Sequence, residues 1–277
     1  VLFRSTFTDN AFSGGALAAT LGSAYSGGKN INVALDASDA FGSAVSLNAA
    51  GDRLAVGAPL DAGAGNLTAR SGAVRLFTFT DTSFSGGALA ATLGSGYSGG
   101  KNVNVALGAE YRFGSAVSFN AAGDRLAVGA PFDPGTGNFR SGAVHLFTFT
   151  NNNFSGGTLA ATLGSGYTGG KNVNIALDSD DQFGAGVSLN GTGDRLAVSA
   201  PGDDGASNTT ADAGAVRLFT FADGSFTNGA RASTFGVGYS FTGLNSVNVA
   251  LNGSDQFGAA VSLNAAGNRM EIGRAHV

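Results

Sequence analysis

Phe41-Gly42-Ser43-Ala44-Val45-Ser46-Leu47-Asn48-Ala49-Ala50-Gly51-Asp52-Arg53-Leu54-Ala55-Val56-Gly57-Ala58-Pro59 is the stretch on which the fold turns. From Ala44 to Asn48 apolar and polar residues alternate, the pattern of a half-covered strand. Arg53 to Val56 supplies a second short strand, and the Asn-Ala-Ala-Gly-Asp segment between the two contains the glycine that a hairpin turn favours. The chain then repeats itself. Copies begin at Phe113-Gly114 and Phe183-Gly184, and a fourth opens at Phe257-Gly258, so the period is about 70 residues. Self-similarity at a fixed period marks an array of supersecondary units that are stabilised by their neighbours.

Further along the same copy, Leu60 to Ser71 reads as a loop, and Gly72 to Thr80 as the strongest strand. In that strand Val74, Leu76 and Thr78 face one side while Arg75, Phe77 and Phe79 face the other, so both faces require cover. Ala88 to Leu93 follows, with an Ala-Leu composition that is ambiguous between strand and helix. After a glycine-rich connector, Val103 to Leu107 has the period of a fifth short strand. The expectation is an all-β protein of tandem blades, each of four to five short antiparallel strands, forming a partial or open β-propeller. The repeats are residues 41–112, 113–182 and 183–256, with partial copies at 6–40 and 257–270.

Composition narrows the function. Charged residues are 12% of the chain, about half the usual share, and the net charge is -4 with Lys and Arg scattered. No basic stripe exists for nucleic acid or an anionic membrane surface. Cysteine is absent, which excludes disulfides and thiolate metal sites. No run approaches the roughly 20 apolar residues of a spanning helix.

The two ends read differently from the rest. Val1 to Ser5 and Glu271 to Val277 back-translate to strings that look like the two ends of a common sequencing-library adapter. Copies one to three read Gly-Asp-Arg-Leu-Ala-Val, whereas the fourth reads Gly267-Asn268-Arg269-Met270 and then leaves the pattern at Glu271. The expectation is that residues 1–5 and 271–277 are adapter-derived scars flanking a natural segment of residues 6–270.

Phe41-Gly42 with Gly57-Ala58-Pro59, Phe113-Gly114 with Gly129-Ala130-Pro131, and Phe183-Gly184 with Ser199-Ala200-Pro201 make residues 6–270 resemble the FG-GAP repeat family, the blades of integrin α-subunit propellers. The third pair departs from the motif at Ser199. The resemblance implies an extracellular or cell-surface bacterial repeat protein, in which the chain is a non-enzymatic module for adhesion or scaffolding. Its partners would be neighbouring repeats and a protein or carbohydrate ligand, with no nucleic acid and no membrane insertion. Two alternatives stay open: an accessory propeller of an extracellular enzyme, and a β-solenoid stalk.

Many blades of that family bind Ca²⁺ between the first two strands, and here the matching positions are Asn48 and Asp52, Asn120 and Asp124, and Asn190 and Asp194. Two oxygen-bearing side chains fall short of the six to eight oxygens Ca²⁺ takes, so a tight turn is the simpler reading and no cofactor is assigned. The loops after Gly-Ala-Pro vary most between copies and hold the ligand-loop candidates Asp61, Asn66, Asp133, Asn138, Asp203, Asp204 and Asn208. A second acidic set, Asp36, Asp39, Asp178, Asp180, Asp181 and Asp255, reads as solvated turns. Gly94 to Gly99 and Gly164 to Gly169 match G-x-G-x-x-G but lack the strand-then-helix context a dinucleotide needs. His145, on a strand, and His276 are the only histidines, and no catalytic residue is expected. Phe77, Phe79, Phe147, Phe149, Phe219 and Phe221 read as packing between blades.

Overall fold

Short runs of Val, Leu, Phe and Thr, broken every few residues by Gly, Asn and Asp, leave the chain no room for a helix of ordinary length and many sites for turns. The structure, a computed structural model, describes every residue except Asn10, residues 241–244 and residues 274–277. Among the described residues, twenty strands gather into five small sheets, and the single helical element is a 3₁₀ turn at Ala64–Asn66.

The first sheet holds β1 (Leu2–Thr6), β2 (Ala16–Gly22) and β3 (Ile31–Asn32). The second holds β4 (Ala44–Leu47), β5 (Arg53–Ala58), β6 (Ala73–Thr78), β7 (Ala88–Gly94) and β8 (Val103–Asn104), in that spatial order. The third repeats this order with β9 (Ala116–Phe119), β10 (Arg125–Ala130), β11 (Ala143–Thr148), β12 (Thr158–Gly164) and β13 (Val173–Asn174). The fourth comprises β14 (Val187–Leu189), β15 (Arg195–Ala200), β16 (Ala215–Thr220), β17 (Ala230–Gly236) and β18 (Val247–Asn248), and the last is a hairpin of β19 (Ala260–Leu263) and β20 (Met270–Gly273). Each five-stranded sheet falls within one sequence repeat.

The structure resolves one open strand reading and corrects another. The Ala-Leu-rich stretch is strand β7, because its buried half, Ala91 to Gly94, lies in the ladder against β6. The fifth strand is parallel rather than antiparallel: β8 pairs with β7 through Leu93–Val103 and Gly94–Asn104. Its connector brings the chain back alongside the last residues of β7, and two asparagines brace it there. Asn102 Oδ1 accepts from the Thr92 amide and Asn104 Oδ1 from the Gly96 amide, each at 2.8 Å. The same bonds recur with Asn172 and Asn174 in the third sheet. The Gly94-to-Gly99 motif therefore sits between two strands. In the fourth copy the pattern continues past Met270, since Ile272 pairs with Val261 as Val56 pairs with Val45.

Cores lie between sheets rather than within them. Val74, Leu76 and Leu93 of the second sheet pack against Phe113, Leu126, Val128, Phe147, Phe149 and Phe154 of the third. Leu146 and Leu163 of the third meet Leu196, Val198, Phe219, Phe221 and Phe226 of the fourth, and Leu21 and Ile31 of the first meet Leu54, Phe77 and Phe79 of the second. One face of each sheet thus covers the opposite face of the next, which is why β6 is buried on both sides. Fully burying a phenylalanine such as Phe147 contributes about 2–3 kcal/mol.

Polar joints repeat at the same spacing. Ser46 Oγ accepts from the Phe119 amide, Ser118 Oγ from Leu189 and Ser188 Oγ from Leu263, all at 2.9 Å, so the first strands of consecutive sheets lie side by side. Lys29, Lys101 and Lys171 each reach the following sheet, donating to the carbonyls of Ser83, Asn153 and Ser225 at 2.6, 2.8 and 2.7 Å. The Phe-Gly and Gly-Ala-Pro motifs meet at the tightest joint. The Gly114 carbonyl oxygen stands where a side chain on Gly57 would have to begin, and Gly184 meets Gly129 in the same way.

The first sheet breaks the pattern. Arg4 pairs with Ala19 at the place where Leu76 pairs with Ala91, so a guanidinium takes a core position. It stacks over Phe84 at 3.5 Å and Phe79 at 4.0 Å, while both Nη atoms are buried without hydrogen-bond partners.

Candidate functional site

The most polar features of the interior are three clusters centred on Asp61, Asp133 and Asp203, one per five-stranded sheet. Each aspartate follows Gly-Ala-Pro or Ser-Ala-Pro by two residues and turns inward, with 3%, 1% and 2% exposure. The turn is local in origin: one carboxylate oxygen accepts from the amide two residues on, Gly63, Gly135 or Gly205, at 2.8–2.9 Å. Two further donors come from the sheet. Arg75 of β6 reaches Asp61 at 3.0 Å and Arg217 of β16 reaches Asp203 at 2.7 Å. Tyr97, Tyr167 and Tyr239, from the glycine-rich connectors, donate their hydroxyls to the same carboxylates at 2.8–3.1 Å.

A buried carboxylate with three charge-assisted or phenolic donors is satisfied and tethered. Burial, and then the aspartate's charge, pushes the Tyr97 phenol up to about 12. The Tyr167 phenol rises for the same two reasons, and the Tyr239 phenol rises chiefly through burial. These hydroxyls therefore stay protonated and act as fixed donors. The clusters tie loop, central strand and connector of one sheet to each other.

A second carboxylate joins two of the clusters. Asp39 and Asp181, read from sequence as solvated, are buried, as is Asp255. The reason is a turn closed by the side chain: Asp39 Oδ2 accepts from the Asp36 amide at 2.8 Å, Asp181 Oδ2 from Asp178 at 2.9 Å and Asp255 Oδ2 from Asn252 at 2.7 Å. Asp36 and Asp178 do stay exposed. Burial pushes the Asp181 carboxyl up to about 7, with Asp203 adding to the rise and Arg217 opposing it. Asp39 moves in the same direction for the same first cause.

The middle cluster differs in two residues at once. Tyr111 stands where Asp39 and Asp181 stand, and His145 stands where Arg75 and Arg217 stand. His145 Nε2 lies 3.5 Å from Asp133 Oδ2, and Nδ1 lies 3.3 Å from Thr162 Oγ1. One acidic group and one fixed cation have been lost together, so charge balance is kept. The two changes lie far apart in sequence, and only the fold shows that they compensate.

The calcium candidates close their own turns. Asn48 Oδ1 accepts from the Asp52 and Arg53 amides at 3.1 and 3.0 Å, and Asn48 Nδ2 donates to Asp52 at 2.8 Å. Asn120 with Asp124 repeats this. Asn190 with Asp194 follows suit, and hydrogen bonds from Thr192 and Asn190 hold the Asp194 carboxyl below its usual range. Arg53 and Arg125 pair with Asp52 and Asp124 at 3.2 Å. Among the described residues, no group of three or more His, Asp or Glu is placed to hold a metal ion.

The other loop candidates lie nearer the surface. Asn66 is exposed, Asn138 donates to the Leu177 carbonyl at 2.6 Å, Asn208 donates to Asp178 at 2.9 Å, and Asp204 accepts from the Asp212 amide at 2.7 Å. His276 lies outside the described residues. What sequence reasoning passed over is a group of residues peculiar to the second repeat, Arg112, Phe132 and Phe139, which meet Arg140, the counterpart of Arg70, at one cavity. Their signal was departure from the sister copies. No family model and no curated protein matches the chain.

Proposed function

We propose that the chain is a non-enzymatic module of a bacterial surface or secreted repeat protein, built of FG-GAP-like propeller blades and serving adhesion or scaffolding. The observation that carries this reading is the joint between Gly57 and Gly114, repeated between Gly129 and Gly184. It gives the Phe-Gly and Gly-Ala-Pro motifs one shared task, the backbone-to-backbone docking of successive sheets. Separate sheets of consecutive strands, with their first strands adjacent, support blades over a solenoid, whose strands pair from coil to coil. The Asp-Arg-Tyr clusters support a structural rather than a chemical use of the buried charge, because each carboxylate is held by donors of its own sheet.

The experiment is retention on a surface coated with the full chain. Cells, polysaccharides or matrix proteins are expected to be held saturably and recovered chemically unchanged. Release of a reaction product from any of them would overturn the reading, as would recovery of the protein solely from the cell interior of the bacterium that encodes it.

A further inference from the structure

At equivalent positions the second repeat carries residues that its sisters lack. Phe132 follows the proline where Leu60 and Gly202 stand elsewhere, Phe139 takes the place of Ala69 and Ala211, and Arg112 precedes Phe-Gly where Ala40, Gln182 and Gln256 do so in other copies. The alignment of Phe139 with Ala69 and Ala211 rests on backbone bonds: Glu110, Asp180 and Ser254 donate to the carbonyls of Ala69, Phe139 and Ala211 respectively. With Arg70, Glu110 and Arg140, these residues line a cavity of about 420 Å³ between the loops of the second and third sheets.

The geometry inside the cavity is specific. The Arg112 guanidinium lies 4.1 Å from the centre of the Phe132 ring, and that of Arg140 lies 4.7 Å from both Phe132 and Phe139. A guanidinium stacked on an aromatic face keeps its N–H edge available for an in-plane acceptor. Arg112 Nε is buried and has no hydrogen-bond partner. The existing acidic neighbours are weakly held: Arg70 to Glu110 at 3.5 Å and Arg140 to Asp180 at 3.8 Å, with all four side chains about half exposed. Water screens such pairs, and a carboxylate of better geometry displaces them readily. Phe139 is 59% exposed and offers a flat apolar face.

We propose that this cavity binds a carboxylate carried on a six-membered ring. Three arginines against Glu110 and the neighbouring Asp180 leave a net positive charge that selects an anion in a chain whose net charge is -4. The bidentate match of guanidinium to carboxylate favours that group over a point anion such as chloride. The aromatic faces require a flat or chair-shaped body, and the volume lies at the low end of small-molecule sites, where one ring fits. A hexuronate and an aromatic acid share this chemistry. The site does not depend on the array being adhesive.

The test is a titration of the full chain, followed by NMR shifts, with sodium glucuronate, sodium benzoate and neutral glucose in turn. Saturable binding of glucuronate or benzoate at roughly millimolar affinity, with none for glucose, is expected, and which acid binds tells the sugar source from the aromatic one. Arg112→Gln and Phe139→Ala install the sister copies' own side chains, so the fold tolerates them, and each is expected to weaken binding about tenfold or more. Absence of binding by both acids, equal binding of glucose, or unchanged affinity in both variants would overturn the proposal.

Discussion

The carbonyl oxygen of Gly114 occupies the space that a side chain on Gly57 would need, so two sheets meet there through backbone alone. The same holds between Gly184 and Gly129. Gly129→Ala is therefore expected to force the third and fourth sheets apart and to cost about 3 kcal/mol, the upper range for an overpacked core. Chemical denaturation measures it. The third repeat shows how the chain tolerates a larger residue: Ser199 replaces the glycine, Gly186 replaces the alanine paired with it, and Gly258 sits 3.1 Å from Ser199 Cβ when given a side chain. Gly129→Ser should accordingly be rescued in part by adding Ala116→Gly.

Asp181 gives the array a pH dependence of definite sign. Its carboxyl is at about 7 in the folded chain against 3.8 unfolded, so the native state binds more protons between those values. Stability from this group is present at acid pH and is lost as pH rises through about 7, with a slope of at most about 1.4 kcal/mol per pH unit. Asp181→Asn keeps the neutral form at all pH. Unfolding midpoints measured from pH 4 to pH 8 should flatten in that variant, and an unchanged profile would refute the assignment.

Tyr111 and His145 form a matched exchange for Asp39 and Arg75. Tyr111→Asp alone places a second carboxylate beside Asp133 with no arginine to balance it, and is expected to destabilise by about 2 kcal/mol. Adding His145→Arg recreates the set found in the sister sheets. A double-mutant cycle should yield a coupling of at least about 1 kcal/mol, since residues of one network are not additive.

Calcium should leave thermal unfolding unmoved, because Asn48, Asn120 and Asn190 commit their amide oxygens to the backbone of their own turns. Asn120→Ala is expected to lower stability by about 1–2 kcal/mol, equally with calcium or with chelator, as the loss of a turn-closing side chain does. A rise in midpoint on calcium addition that vanishes in Asn120→Ala would restore the metal reading.

Much of this was legible in the sequence because strands announce themselves by alternation: Ala44–Leu47, Arg53–Ala58 and Ala73–Thr78 lie where the apolar pattern puts them. The direction of β8 was not legible, since a two-residue strand carries no sign of which way its partner runs. Asp39 and Asp181 were misread because a carboxylate that closes its own turn looks, in one dimension, like any acidic loop residue. His145 looked like an isolated oddity until Tyr111 was found beside the same aspartate cluster. The Arg112 cavity left only a faint trace, a handful of positions at which one copy disagrees with the others.

Ser46, Ser118 and Ser188 each accept from an amide on the first strand of the next sheet, and that strand carries the next hydroxyl in the same place. Donor and acceptor faces are thus stamped on every unit, as on links of a chain. A gene that duplicates one repeat in frame gains a link whose two faces already fit, with no new interface to evolve, whereas a substitution at a single joint is felt by only the two sheets it connects.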